Sequence, residues 1–177
     1  VVVGGGFIAC EFSSILNGLG SKVIQLVRGD RILKDFDSDL SNMLKDSMRK
    51  KGIDLRFNQS ASSIEKSGKD LYVSTSDNKI IKCGGLLFAI GRTPATKSLC
   101  LEKAGIEIMA NKKIKVDLSN RTSKPHIFSI GDVSNNINLT PVAIDEGRVF
   151  SDELFGGKNR LVNYKLVPKA VFSQPEI

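Results

Sequence analysis

The chain has 177 residues, 41% of them hydrophobic and 25% charged; that balance fits a packed globular chain, and the length fits one full domain, or one domain with pieces of others. No run approaches the roughly 20 apolar residues of a membrane-spanning helix, so no membrane partner is expected. The formal charge of +7 raises nucleic-acid binding, but Lys and Arg are scattered among acids, and the one dense cluster, Met48-Arg49-Lys50-Lys51, stands at a helix end where cations suit the dipole. No nucleic-acid partner is therefore expected.

The chain opens V-V-V-G-G-G-F-I-A-C-E-F at 1–12. Three β-branched residues run into three glycines. Ile8, Phe12, Ile15 and Leu19 then recur at spacings of four, three and four, the period of a helix with one buried face. The pattern predicts strand, tight turn and helix. Gly4 permits the turn, and Gly6 lets a pyrophosphate approach the backbone at the positive end of the helix. Ala9 is the small residue that lets helix press on strand. This G-x-G-x-x-[G/A] spacing, in strand–turn–helix context, is the fingerprint of a dinucleotide site.

The first helix should end near Leu19 with Gly20 as its left-handed cap. Residues 22–27 read as a buried parallel strand. Asp37-Ser38-Asp39 should cap and open a second helix, with Leu40, Met43, Leu44 and Met48 as its buried stripe and Gly52 as its stop. Residues 53–57 alternate like a third strand. This is βαβαβ, the mononucleotide-binding half of a doubly wound fold. Residues 62–66, 71–76 and 79–82 then predict a small antiparallel meander, with Asp77-Asn78 as a two-residue turn.

Residues 86–90 read as a buried strand that returns to the parallel sheet and ends at Gly91-Arg92-Thr93-Pro94. Ligands in such sheets gather at the carboxyl ends of strands, which should bring this second glycine turn near the first. Residues 113–116 and 127–130 are strand-like, with 122–125 as a connector. Asp132, just past the second of these, either caps the next segment or hydrogen-bonds a sugar or polyol hydroxyl. Thr140 should cap a third helix, with Pro141 at its first position, running to about Phe155. Residues 167–172 begin a further element.

Cys10, Cys83 and Cys100 lie far apart, in no C-x-x-C or metal spacing, and read as small buried residues of a reducing compartment. His126, the only histidine, reads as structural. No catalytic triad and no metal site can be assembled. The chain starts within a strand and without Met, and it stops just after a strand-like run, so it is expected to be a piece of a longer protein.

With these motifs placed, the chain resembles the flavin-dependent pyridine-nucleotide disulfide reductases. G-G-G-F-I-A-C-E at 4–11, A-I-G-R-T-P at 89–94, and S-I-G-D-V at 129–133 followed by L-T-P-V-A at 139–143 come in that family's order. N-G-L-G at 17–20, V-R-G-D-R-I-L-K-D-F-D at 27–37, I-N-L-T-P-V-A at 137–143 and A-V-F-S-Q-P-E-I at 170–177 most resemble its glutathione-disulfide reductases of the bacterial kind. The resemblance implies an α/β, Rossmann-like NAD(P)-binding domain with a β meander over 1–116. It implies the returning segment of an FAD-binding domain over 117–155, and a linker with the start of a dimer-interface domain over 156–177.

The resemblance also implies roles. Glu11 matches an acid that pairs with a lysine beside the flavin. Phe7 matches an aromatic lid on the nicotinamide pocket, with Phe in place of the usual Tyr. Gly5, Ile8, Gly91, Asn138 and Val171 match positions along the NADPH path. Asp132 matches the carboxylate that holds a flavin-side hydroxyl, and Thr140 the residue whose backbone approaches the flavin ring. Ala95 departs from the Asn that many members carry after R-x-P. The second strand reads Gln25-Leu26-Val27-Arg28. Apolar Val27 stands where an NAD-binding fold has its acid. Arg28 follows it, and Lys34 stands where a second arginine is usual, so both should hold the 2′-phosphate of NADP, Lys34 as a point charge.

The implied cofactors are NADP and FAD, and the implied substrate of the complete enzyme is oxidised glutathione; an anionic dinucleotide and an anionic substrate also account for the positive charge. A homodimer and a cytoplasmic location go with this. The family's redox cysteine pair and its proton-handling His–Glu pair match nothing here, so the chain alone is expected to be inactive. Other disulfide reductases such as trypanothione reductase, mercuric reductase, and a free-standing NADP-binding module remain alternatives.

Overall fold

A computed structural model of the chain describes residues 1–134 and 137–177. They form two compact units, Val1–Gly91 with Lys169–Ile177, and Arg92–Pro168.

In the first unit, β1 (Val2–Val3), β2 (Ile24–Val27), β3 (Asp54–Phe57) and β7 (Leu87–Phe88) make a parallel sheet of order β3-β2-β1-β7. The crossovers are α1 (Phe7–Gly18) and α2 (Ser38–Lys50). The remaining strands, β4 (Ala61–Ser67), β5 (Asp70–Thr75) and β6 (Ile80–Cys83), form the expected antiparallel meander. Side chains alternate between faces along a strand, and the core divides accordingly. Val2 and Val27 pack on one face with Ala9 and Cys10 of α1 and Leu44 and Met48 of α2. Val3 and Leu26 pack on the other with Val73 and Ile81 of the meander. The α/β architecture is the one expected.

Both helix ends follow local sequence. Asp37 caps α2, its carboxylate accepting from the Asp39 and Leu40 amides at 2.8 and 3.3 Å. Gly20 and Gly52 are left-handed at φ +87° and +89°. Their amides donate to the Asn17 and Arg49 carbonyls, and the amides of Ser21 and Ile53 donate to those of Leu16 and Met48. These paired bonds satisfy the last carbonyls of each helix.

The face of α1 is not the expected one. Its buried residues are Ala9, Cys10, Ser13 and Ser14, whereas Phe12, Ile15 and Leu19 are 45%, 43% and 78% exposed. The glycine turn brings the start of α1 close to the sheet, and its fully buried residues are small; half-buried Leu16 packs on the same core further along, while Phe12, Ile15 and Leu19 turn outward. In α2, Leu44 and Met48 are buried as expected, with Ser41 in place of the exposed Leu40 and Met43. The meander loop is one residue longer than expected. The Thr75 amide donates to the Lys79 carbonyl, and Asn78 takes the left-handed φ of +61°, as three-residue hairpins require. At the sheet edge β7 is short, and Phe88 and Ile90 are exposed rather than buried.

In the second unit, residues 113–116 and 127–130 are not strands among the described residues. They form single bridges, Ile108 with Ile114 and Arg121 with Phe128, because an extended run becomes a strand only where a neighbour pairs along it. Here α3 (Thr140–Phe155) begins one residue earlier than expected: Leu139 is the N-cap, without a side-chain bond, and Thr140 is the first helical residue. Lys169–Ile177 return to the first unit, where Val171 is fully buried and exchanges two backbone hydrogen bonds with Ile177.

Two substitutions test these local causes by urea unfolding followed by circular dichroism. Asp37→Ala is expected to cost about 1 kcal/mol, the value of an N-cap. Gly4→Ala is expected to cost at least about 2–3 kcal/mol, since Gly4 lies at φ +143° and an added Cβ would stand 2.3 Å from the Ala89 carbonyl oxygen.

Candidate functional site

The first turn is built by exclusion. A Cβ on Gly4 would strike Ala89, and one on Gly5 would stand 2.8 Å from Val27 Cγ1. Gly6 alone faces open space. It is the N-cap of α1, with no capping side chain and no acid in the first turn. An anionic group therefore fits there, against amides at the positive helix end. The Gly4 amide donates to the Leu26 carbonyl, and its carbonyl accepts from Gln25 Nε2 at 3.0 Å. Gln25 is wholly buried and was invisible as a site residue within an apolar strand. The Ala89 amide donates to the Val3 carbonyl, so the end of β7 runs beside this turn, as expected for the second glycine motif. Gly91 follows at φ +135° with open space around it.

The loop after β2 is pinned from below. Ile32 and Leu33 are buried, and the Leu33 amide donates to the Gly5 carbonyl at 2.7 Å. The Arg31 guanidinium donates to the Lys34 carbonyl, so Arg31 braces the loop's backbone. Arg28 and Lys34 remain exposed. Phe7 is exposed at the start of α1, and Ile8 is half-buried. The Glu11 carboxylate accepts from the Phe172 amide at 2.9 Å, which ties α1 to the returning segment beside buried Val171.

The second unit brings Asp132 and Asn138 to one cavity of about 180 Å³, together with Arg92 and Lys113. Asp132 lies in a 3₁₀ turn, Gly131–Val133, and faces Arg92 at 3.8 Å. Nearly buried Lys113 donates from Nζ to Asn138 Oδ1 at 3.0 Å. Thr140 is exposed at the start of α3. No sequence signal separated Lys113 from the other 25 Lys and Arg residues among the total of 26. A larger cavity of about 360 Å³, lined by Met109, Leu118, Asn120 and Tyr164 among others, holds none of the expected cofactor residues.

The thiols differ from the uniform burial expected. Cys10 is buried, Cys83 is half-buried and Cys100 is exposed. Burial pushes the Cys10 thiol up to about 11, opposed by the Gln25 amide and helped by Glu11. His126 is exposed. Among the described residues no group of three or more His, Cys, Asp and Glu can hold a metal ion, and no helix is long and apolar enough to cross a membrane.

Residues 1–147 match the family model for pyridine nucleotide-disulphide oxidoreductases, and the chain belongs to that family. It is 45% identical over 175 residues to a glutathione reductase of Burkholderia cepacia, covering 99% of this chain and 39% of that protein. It is 39% identical over 181 residues to a trypanothione reductase of Trypanosoma congolense, covering 100% of this chain and 37% of that one. Among solved structures, the HOCl-induced flavoprotein disulfide reductase RclA of Escherichia coli superposes with a TM-score of 0.92 at 32% identity, over 99% of this chain and 40% of that one. The chain thus spans about two-fifths of the length of the relatives it matches.

Thiol labelling checks the environments. At pH 8 an alkylating reagent is expected to modify Cys100 first and Cys10 only on unfolding. A thiol whose pKa is raised to about 11 stays protonated there, and burial denies access to the reagent. Equal rates at both sites in the folded protein would contradict this.

Proposed function

We propose that this chain is the NADPH-binding and flavin-contacting part of an NADPH-dependent FAD enzyme that reduces glutathione disulfide. In this reading residues 1–116 hold NADPH, 117–155 contribute to the FAD site, and 156–177 lead into a dimer-interface domain. The observation that carries it is the first turn: an uncapped helix N-terminus with open space at Gly6 and no acid in its first turn, followed by apolar Val27 at the end of β2 and exposed Arg28 and Lys34 after it. Kinship with glutathione reductases supports the substrate. The complete protein is then a cytoplasmic homodimer.

Each residue has a physical task. Gly4 and Gly5 leave room for the turn, and Gly6 admits the pyrophosphate to the α1 amides. Arg28 and Lys34 neutralise the 2′-phosphate. Phe7 and Ile8 give the nicotinamide an apolar surface and exclude water; the resemblance to the family assigns Gly91, Asn138 and Val171 to NADPH binding as well. Asp132 accepts from a flavin-side hydroxyl, Thr140 brings backbone to the flavin ring, and Glu11 supplies the acid for a lysine beside it. When bound, the cofactors supply hydride transfer from NADPH and its relay to a protein disulfide. That disulfide lies outside this chain, since Cys10 is buried and protonated and no pair of neighbouring cysteines is present in the sequence.

The first test is cofactor choice in the complete protein. Two charge-assisted contacts give a kcat/KM preference for NADPH over NADH of about 10² to 10⁴, with solvent screening favouring the lower end. Arg28→Glu is expected to remove most of it, because it sets a carboxylate against the phosphate. A wild-type ratio near one, or one unmoved by Arg28→Glu, would show that the loop does not read the 2′-phosphate. Running the same assay with oxidised glutathione and with trypanothione disulfide separates the two substrates.

The second test is flavin retention. Asp132→Ala is expected to weaken FAD binding about ten- to hundredfold through loss of a charged hydrogen bond, with NADPH affinity little changed. Full retention of the flavin absorbance through dialysis, with loss of NADPH affinity instead, would reverse the assignment.

A further inference from the structure

The buried stripe of α3 is Val142, Glu146 and Val149, at spacings of four and three. A carboxylate in the middle of an apolar stripe, with 0% of its surface exposed, is costly unless it is paired and hydrogen-bonded. Glu146 bridges two segments of the second unit. Its Oε2 accepts from the Gly131 amide at 2.5 Å, and its Oε1 accepts from the Tyr164 hydroxyl at 2.8 Å. The next peptide group is held as well, since the Gly131 carbonyl accepts from the Ser134 amide at 3.1 Å. Gly131 is left-handed at φ +73°, and an added Cβ would stand 3.4 Å from Ala143 Cβ on the same helix. The residue fixed in this way opens the 3₁₀ turn that carries Asp132 to its cavity.

We propose that Glu146 is a positioning residue: through the Gly131 amide it sets the turn from which Asp132 reaches a cofactor hydroxyl. The inference rests on the reading of Asp132 as the flavin-side carboxylate. Glu146 lies outside the set of residues that touch the cofactor. It acts by fixing a peptide group whose orientation decides where the next carboxylate points. Tyr164 holds the other oxygen, so that the carboxylate presents Oε2 to Gly131 in one orientation. Removal of a charged acceptor leaves the Gly131 amide buried without this partner, and the turn is free to relax away from the geometry of the contact.

The test is a double-mutant cycle on the complete protein, read as the dissociation constant of FAD from fluorescence on reconstituting the apoprotein. Circular dichroism melting without flavin is recorded for every variant. Glu146→Ala is expected to weaken FAD about ten- to hundredfold. Glu146→Gln, whose amide oxygen still accepts from Gly131 and whose amino group can donate to the Tyr164 oxygen, is expected to stay within about threefold of wild type. In an Asp132→Ala background, Glu146→Ala is expected to cost less than about twofold more, because the contact it positions is already gone. An equal cost in both backgrounds would overturn the inference and leave Glu146 as a general support of the fold. If Glu146→Ala does not fold, Glu146→Asp, which draws the carboxylate back by one methylene, runs the same cycle with the same criterion. Unchanged FAD affinity in Asp132→Ala alone would overturn the reading of Asp132 and this inference with it; an affected Asp132→Ala with additive Glu146 variants would overturn the inference alone.

Discussion

No Cβ fits at Gly4, and much of the first unit depends on that. The position lies at φ +143°, with the Ala89 carbonyl where a side chain would be. The end of β7 and the start of α1 can therefore approach the end of β1 together. Gly5, crowded by Val27, draws in the loop after β2 in the same way, and the Leu33 amide closes on its carbonyl. The helix so placed has small residues at its fully buried positions, Ala9, Cys10, Ser13 and Ser14, with the larger Leu16 only half-buried against the same core. Gln25, the one polar side chain of β2, holds the Gly4 carbonyl from within the core.

The second unit places its polar groups by another means. Its extended segments make only single bridges among the described residues, so side chains add to scattered backbone hydrogen bonds in fixing their geometry. Glu146 holds the Gly131 amide, Lys113 holds Asn138, and Arg121 pairs with Glu153 while lying over the Phe128 ring. Buried polar groups of this kind are expensive when unmatched and specific when matched. They are where charge and direction are combined around Asp132.

What the sequence disclosed follows from the range of the interactions involved. Asp37, Gly20 and Gly52 act on amides and carbonyls within a few residues, so their roles were legible in the local pattern. The glycine turn was legible because steric exclusion leaves its mark on residue type. The apolar period of α1 was legible as a face, but not as the face that would be covered, since that is decided by how closely the sheet approaches. Residues 113–116 and 127–130 have strand composition, yet pairing depends on neighbours that composition does not name. Gln25, Lys113 and Glu146 were silent for the same reason: each matters through burial and a partner 15 or more residues away, as with Gly4 and Gln25, 21 apart, Lys113 and Asn138, 25 apart, and Gly131 and Glu146, 15 apart.

Val171 sits among Val2, Ala9, Val27 and Leu44, although the polypeptide leaves that unit at Gly91 and rejoins it only at Lys169. This sets an order in time. On the ribosome, residues 1–91 emerge well before the segment that finishes their core. Glu11 waits as long for the Phe172 amide. Through that interval the nascent parallel sheet is short of an interior residue, and its closure over so many intervening residues belongs to the slow, non-local class of folding events. The whole of Arg92–Pro168 is synthesised before the first-made part of the chain can close.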